Sequence, residues 1–306
     1  MKKYEEYQHL PGEPMTERDK KEEHSKFWGK GKWNNFVLPF LKFEPESILI
    51  DIGCNAGLFL NLAEDMGFNA IGVDSNEGAV KKGLEWRDKN GKNYQIIKSD
   101  INNCINNLPV ADYTVLANAA YYFTVNDFLD YIDVLQYKTR YCIIVTDEKR
   151  HLNRCWASAD VEDIRSFFKN WDEVGFIDVM SQDDPSPRKL RSLCFKSRFV
   201  DKVPVDTLDA SNHVQDEFYP QLDEGKAYKD TKYYKIMHKY RIRDHGWEPE
   251  RLEEWFKERV RVYEDVKSNG LRVPIIVDKD DRILDGNHRY AVMRHLGFKN
   301  IFIRKT

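Results

Sequence analysis

Long apolar runs are missing from this chain. None approaches the roughly 18 consecutive apolar residues that a membrane-spanning helix requires. The opening MKKYEEYQHLPGEPMTERDKKEEH lacks the apolar core of a secretory leader, so a cytoplasmic chain is expected. Clustered metal ligands are missing too. Cys54, Cys104, Cys142, Cys155 and Cys194 are odd in number, scattered, and never in CxxC or Cys/His spacing, and no metal site is expected. An excess of one charge is likewise absent. The 48 basic and 51 acidic residues leave a formal charge of −3, which gives no global pull toward nucleic acid or membrane. Nothing in the sequence fixes an oligomeric state.

What is present is length, 306 residues, enough for two ordinary cores. Residues 1–24 are polar and read as an N-terminal arm. From Glu23 to Lys42, Phe27, Trp28, Trp33, Phe36, Val37 and Phe40 recur at roughly helical spacing, which predicts an aromatic face packed in a core. The GKGK within that segment, two lysines beside large rings, also suits a lid over an anionic acceptor. SILIDIG (47–53) is a continuous apolar run ended by glycine, as expected of a strand buried on both faces. Helical and strand patterns then alternate through GLFLNLAEDMG, AIGVD, NEGAVKKGLEWRDKNG, YQIIKSD, DYTVLAN, DFLDYIDVLQ and YCIIVTD, which predicts a doubly wound α/β sheet. After the helix VEDIRSFFKN come VGFIDVMSQ and RSLCFKSRF, joined by DDPSPRK. Two strands with a Pro-bearing turn predict an antiparallel hairpin at the sheet edge.

The chemistry of this part lies in ILIDIGCNAGLF. Gly53 and Gly57 let the backbone turn sharply out of the strand, and the next helix begins with free N–H groups. Asp74, about 20 residues on, falls at the tip of the second strand, where a carboxylate can accept ribose hydroxyls. A pyrophosphate site would have glycines in G-x-G-x-x-G order. Here the order is D-x-G-C-N-x-G, and Asp51 would repel a pyrophosphate but suits a cation.

This pattern resembles motif I of the class I S-adenosylmethionine-dependent methyltransferases, over roughly residues 25–200. The hairpin at 174–199 matches that family's distinctive sheet edge. The resemblance implies S-adenosylmethionine as cofactor, the residue at Asp74 on its ribose and the pair Ser99–Asp100 beside its adenine. The candidate cofactor-binding set is Asp51, Gly53, Asn55, Gly57, Asp74, Ser75, Asp100, Ile101 and Asn118. Family members that methylate amino groups of bases carry an N/D-P-P-Y/F motif after the fourth strand; here ANAAYYF (117–123) has no proline, and no Pro-Cys nucleophile occurs. DNA is therefore disfavoured, and a hydroxyl on a small-molecule or carbohydrate acceptor is expected. Such transfer needs a base or good positioning of the hydroxyl. Candidates at strand ends are Tyr121, Tyr122, Asp147 and His151.

The remainder, 200–306, reads differently. FVDKVPVDTLDAS (199–211) opens a strand, TKYYKIMHKYR is helical, and 249–267 forms a long helix with a stripe of Leu252, Trp255, Phe256, Val260 and Tyr263 under a charged solvated face holding Glu250, Glu254 and Arg259. RVPIIVDKDDRILDGNHRYAVMRHLGFKNIFIRK then reads as strand, turn, short strand, glycine turn, helix, strand. This arrangement resembles a small α+β domain of the ParB/sulfiredoxin-like fold, with an xxPxxxL strand (Val203-Pro204 to Leu208), a PIxV strand (Pro274 to Val277) and a G-x-x-R loop. The resemblance implies a phosphate site at Asp285, Gly286, Asn287, His288 and Arg289, with ATP, ADP and CTP as candidate ligands; the alternative is that Arg289 merely pairs with Asp285. Asn287 stands where sulfiredoxins have cysteine, and the chain stops at Thr306 with no helix-turn-helix of a partition protein. The loop is closest to the D-G-H-H-R of free-serine kinases of this fold. The expected whole is a two-domain chain, 25–199 a methyltransferase and 200–306 a nucleotide- or phosphate-binding domain. Its alternatives are a bifunctional kinase–methyltransferase acting on a glycan or metabolite, and a nucleotide-sensing regulatory protein.

Overall fold

The computed structural model describes residues 9–14, 28–147, 161–180, 189–208 and 217–306. The chain divides into two compact units, Met1–Asn107 with Ala111–Arg198, and Leu108–Val110 with Phe199–Thr306.

The first unit is a mixed α/β layer structure around a seven-stranded sheet. Its strands are Ile48–Ile52 (β1), Asn69–Asp74 (β2), Gln95–Lys98 (β3), Ala111–Ala117 (β4), Thr139–Asp147 (β5), Trp171–Met180 (β6) and Lys189–Ser197 (β7). They lie in the order β3-β2-β1-β4-β5-β7-β6. Strands β1 to β5 pair in parallel, whereas β7 runs antiparallel to both β5 and β6. The edge hairpin is thus present; its connecting residues 181–188 lie outside the described residues. Central strands β1 and β4 are the apolar runs because helices cover both faces of a parallel sheet. Those helices are Leu58–Asp65 (α1), Glu77–Lys89 (α2), Val125–Leu135 (α3) and Val161–Phe167 (α4). The Asn76 side chain caps α2 by accepting from Ala79 N at 3.1 Å, and Thr124 caps α3 by accepting from Asp127 N at 3.2 Å.

The aromatic segment folds as three short helical turns, Gly29–Lys32, Trp33–Val37 and Leu38–Phe40. Trp33, Phe36 and Val37 are buried in the core, with Trp33 edge-on to Phe59 at 5.2 Å. Ser192 Oγ donates to the Phe36 carbonyl at 2.6 Å, tying this segment to β7. The core reading therefore holds for these three residues. Lys32 is buried as well, which removes one of the two lysines from a solvent-facing lid.

In the second unit Val200–Pro204 (β8), Ile275–Val277 (β9), Ile283–Asp285 (β10) and Asn300–Lys305 (β11) form a four-stranded sheet in the order β10-β9-β11-β8. Only β9 and β11 run parallel. The strand expected to run to Leu208 ends at Pro204: Thr207 Oγ1 donates back to the Pro204 carbonyl at 2.7 Å and closes a single 3-10 turn, Val205–Thr207. The helices are Phe218–Asp223 (α5), Lys232–His238 (α6), Pro249–Asn269 (α7) and Asn287–His295 (α8). On α7, Leu252, Phe256, Tyr263 and Val266 are buried, while Trp255 and Val260 are half-buried. Phe256 packs against Phe218 and Tyr233 with ring centroids 5.6 and 5.5 Å apart. Among the described residues no helix is long and apolar enough to cross a membrane.

Candidate functional site

In the first unit the topology brings the sequence candidates to one end of the sheet. Asp51 lies near the carboxyl end of β1, Asp74 ends β2, Asn118 follows β4 and Asp147 ends β5. Carboxyl ends of parallel strands are where ligands of open α/β sheets collect.

Asp51 is 3% exposed, and no hydrogen bond reaches its carboxyl among the described residues. A second buried acid shows what a structural carboxylate looks like here. Asp112, at the amino end of β4, accepts from Ile48 N at 3.0 Å and from Arg140 at 3.0 Å. Asp51 has neither kind of partner. Burial, with the Asp74 carboxylate beside it, pushes the Asp51 carboxyl up to about 8, against the pull of the buried Lys32.

Asp74 is organised differently. Its Oδ2 accepts from Asn55 N at 2.8 Å and its Oδ1 from Asn76 N at 2.7 Å. The carboxylate therefore holds the β1–α1 loop while each oxygen keeps further acceptor capacity. Asn55 and Asn118 both have positive φ, 52° and 56°, a conformation asparagine tolerates best among residues with a Cβ. The Asn118 side-chain oxygen is buried without a donor, although its backbone N donates to Val145 O at 2.8 Å. Asp100 caps the turn Ile101–Cys104 by accepting from Asn102 N at 3.0 Å, Ile101 is buried, and Ser75 is exposed.

Gly53 has φ 75°, but a Cβ there would meet Ala119 Cβ at 2.9 Å. The close approach that excludes a side chain is thus internal, between the β1–α1 loop and the chain leaving β4. Gly57, at φ 87°, begins α1, and a Cβ on it would press on Ile96 at 3.2 Å.

Of the proposed catalytic groups, Tyr122 sits on the turn Ala120–Tyr122 after β4 and is 68% exposed. Tyr121 shares that turn and Asp147 is the last residue of β5. His151 lies outside the described residues.

The second unit contains a cleft of about 740 Å³. Asp285 to Arg289 form part of its lining. Gly286, at φ 96°, is the N-terminal cap of α8, and a Cβ there would meet Ile275 at 2.8 Å. Arg289 donates to Asp285 at 2.8 Å, the pairing weighed as the alternative to phosphate binding. His288 stands in the cleft wall as a neutral ring. Burial in the cleft wall, then the Arg259 charge, pushes its ring down to about 3, so it is neutral near pH 7. Its Nδ1 lies 3.5 Å from Tyr219 Oη, and its ring meets Trp255 edge-on at 5.7 Å.

Arg259 was misplaced on the solvated face. Arg261 and Lys257 supply the pairs with Glu254, at 3.3 and 3.7 Å, whereas the Arg259 guanidinium lies 2.9 Å from the Trp255 ring centroid and lines the cleft. A charge pattern at helical spacing cannot tell a solvated arginine from a stacked one; the adjacent turn of Trp255 was the available signal. Tyr233, Tyr240 and Arg241, also in the lining, were not singled out from the sequence.

No protein-family model and no curated protein matches this sequence. Solved structures do. The chain is similar to the PH0226 protein of Pyrococcus horikoshii OT3, at 13% identity over 58% of this chain and 99% of that one, with a TM-score of 0.47. A SAM-dependent methyltransferase from Archaeoglobus fulgidus is similar at 15% identity over 58% and 97%, TM-score 0.45. TehB from Haemophilus influenzae is similar at 16% identity, TM-score 0.42, over 50% of this chain and 58% of TehB. Each is a likeness of fold over about half of the present chain.

Proposed function

We propose that the first unit is an S-adenosylmethionine-dependent methyltransferase acting on a hydroxyl of a small-molecule or carbohydrate acceptor. The observation that carries the reading is Asp51, a buried carboxyl without a hydrogen-bonding partner, next to the loop-holding carboxylate of Asp74. A desolvated carboxyl of this kind ionises readily only beside a cation, which suits a ligand that brings one. The Asn118 oxygen, buried without a donor among the described residues, calls for one at the end of the neighbouring strand β4. A pyrophosphate satisfies neither, whereas an α-ammonium and ribose hydroxyls satisfy both. Asp51 would hold the ammonium, Asp74 the ribose, and Asp100 with Ile101 would lie beside the adenine. When bound, the cofactor supplies an electrophilic methyl group. The chain's own task is then to orient the acceptor hydroxyl and take its proton, for which Tyr121, Tyr122 and Asp147 stand at the right end of the sheet. Calorimetric titration with S-adenosylmethionine and its demethylated product tests the reading. Heat with a 1:1 end point is expected; no heat at high micromolar concentration would overturn it. Duplex and single-stranded DNA incubated with labelled cofactor are expected to stay unlabelled.

For the second unit we propose that residues 285–289 hold a phosphate in the manner of the ParB/sulfiredoxin-like fold. The helix start supplies N–H groups, and Arg289, although paired with Asp285 at 2.8 Å through Nη2, has further N–H donors to offer. Thermal shifts with ATP, ADP, CTP and a phosphosugar, compared between wild type and Arg289→Ala, test this. Equal shifts in both proteins would assign the loop to scaffolding.

A further inference from the structure

The cleft of the second unit has more positive charge than its loop accounts for. Arg241, Arg259 and Arg289 all line it, against the single carboxylate of Asp285, which Arg289 already engages. Neither Arg241 nor Arg259 has a carboxylate partner among the described residues, and the Nε atom of each is buried with no acceptor. Both guanidiniums are held in place. Arg259 lies over Trp255 and donates to the Trp255 carbonyl at 2.8 Å; Arg241 lies over Trp247 at 4.6 Å and Tyr240 at 5.4 Å. Burial without a counter-charge pushes Arg259 down to about 10, where it still carries its proton at neutral pH. Immobile, partly desolvated guanidiniums with donors left over match phosphate oxygens closely.

The same stacking restricts what else the ligand can be. Trp255 is covered by Arg259, and Trp247 by Arg241 and by Arg251 at 4.2 Å. Tyr233 is buried against Phe256. Tyr240, the most exposed ring of the lining at 44%, has Arg241 at 5.4 Å and His245 edge-on at 4.3 Å, so the rings are engaged with cations, His245 and core and offer little free face for a base.

We infer that Arg241 and Arg259 form a second anion-holding wall of this cleft, so that its ligand is a small molecule with two phosphate groups and a non-aromatic remainder. This rests on the reading of residues 285–289 as an anion site. One phosphate lies at that loop and the other at the arginine wall.

The test uses the full chain and calorimetric titration with fructose 1,6-bisphosphate, fructose 6-phosphate, inorganic pyrophosphate and ADP. The bisphosphate is expected to bind at least about tenfold tighter than the monophosphate, and ADP no more than about threefold tighter than pyrophosphate. Arg241→Gln and Arg259→Gln should each weaken the bisphosphate by about tenfold or more while leaving the monophosphate within about twofold, and Arg259→Lys should keep part of the affinity because it keeps charge but loses the planar fork. Thermal unfolding identifies any variant that fails to fold, and Arg241→Gln with Arg259→Lys then decides. Equal binding of mono- and bisphosphate, or unchanged affinity in folded Arg241→Gln and Arg259→Gln, overturns the second wall. ADP binding more than about tenfold tighter than pyrophosphate overturns the non-aromatic class. If the bisphosphate binds and only Arg289→Ala weakens it, the loop reading survives and this inference falls; if no phosphate binds wild type, both fall.

Discussion

In the first unit a carboxyl, Asp51, is buried, and in the second two guanidiniums, Arg241 and Arg259, line a cleft; among the described residues the carboxyl has no hydrogen-bonding partner and the guanidiniums have no carboxylate partner. Desolvation acts on both, raising the acid to about 8 and lowering Arg259 to about 10. The responses differ because the intrinsic values differ. A raised carboxyl can keep its proton at neutral pH and escape the cost of a buried charge, whereas a guanidinium lowered to about 10 stays charged and finds relief in stacking on Trp255. The first site thus waits in a neutral form that a cationic ligand must ionise. The second is permanently positive and ready for an anion. Asp112, equally buried but bonded to Arg140 and Ile48 N, shows that the fold can neutralise a buried charge where no ligand is needed.

The largest expected effect breaks the first site outright. Asp74→Ala removes two charge-assisted bonds, to Asn55 N and Asn76 N, and with them the hold on the β1–α1 loop, as well as the ribose contacts proposed for it. S-adenosylmethionine affinity should fall by about 100-fold, with phosphate binding in the second unit unchanged; equal cofactor affinity in calorimetry would remove Asp74 from the site. Asp51→Asn sharpens the comparison instead. The wild type must lose a proton at Asp51 to receive an ammonium, so its cofactor affinity should rise as pH goes from 6 toward 8, with proton release visible as a buffer-dependent heat. The asparagine variant should lose that dependence and bind about 30-fold more weakly at pH 8 than the wild type, the gap narrowing at pH 6. A parallel pH dependence in both proteins would show that Asp51 is not the titrating group.

Much of this was legible in the sequence, and for identifiable reasons. A doubly wound sheet exposes its order through apolar runs such as SILIDIG and DYTVLAN, because burial on both faces leaves no polar alternation. Asp51, Gly53, Gly57 and Asp74 could be assigned to the end of β1, the loop after it and the tip of β2 because a strand end and a glycine stop are local features. Contacts between distant segments were not legible. Gly53 against Ala119 joins two loops 66 residues apart in sequence, and nothing near either residue announces the other. Arg259 was read as solvated because its neighbours are charged; the deciding partner, the Trp255 ring, comes from packing, as does the Arg259 charge that helps to hold His288 neutral. Arg241 stands on the π-helical turn Lys239–Asp244, a departure from the 3.6-residue period that a periodicity argument cannot anticipate.

Gly53→Ala should have a smaller effect, and on the fold before the ligand. The new Cβ would sit 2.9 Å from Ala119 Cβ at a φ of 75°, so stability should fall by about 1–3 kcal/mol in denaturant unfolding. Gly53→Ala combined with Ala119→Gly should recover the steric part and leave the backbone part, which separates the two. No recovery would mean that the φ alone excludes the side chain.

The smallest expected change is none, and it concerns His288. Its ring is held down to about 3, so it should show no imidazole titration between pH 5 and 8 in NMR spectra, where an ordinary histidine titrates near about 6.5. The linkage has a definite sign. Between about 3 and 6.5 the unfolded chain takes up a proton that the folded ring refuses, so this group's stabilisation is complete above about 6.5 and is lost as pH falls toward 3. Asp51 works in the other direction: its folded form keeps a proton that the unfolded chain gives up near about 4, so its stabilisation is present below that value and is lost as pH rises toward 8. Across pH 4 to 6.5 the two groups therefore oppose each other, and substituting either should expose the slope of the other. His288→Phe should flatten the acid side of the stability profile, and Asp51→Asn the neutral side. A His288 resonance that titrates near about 6.5 would place its ring in open solvent and leave the cleft with a fourth cation, beside Arg241, Arg259 and Arg289, at mildly acidic pH, which would make phosphate binding tighten as pH falls through that value.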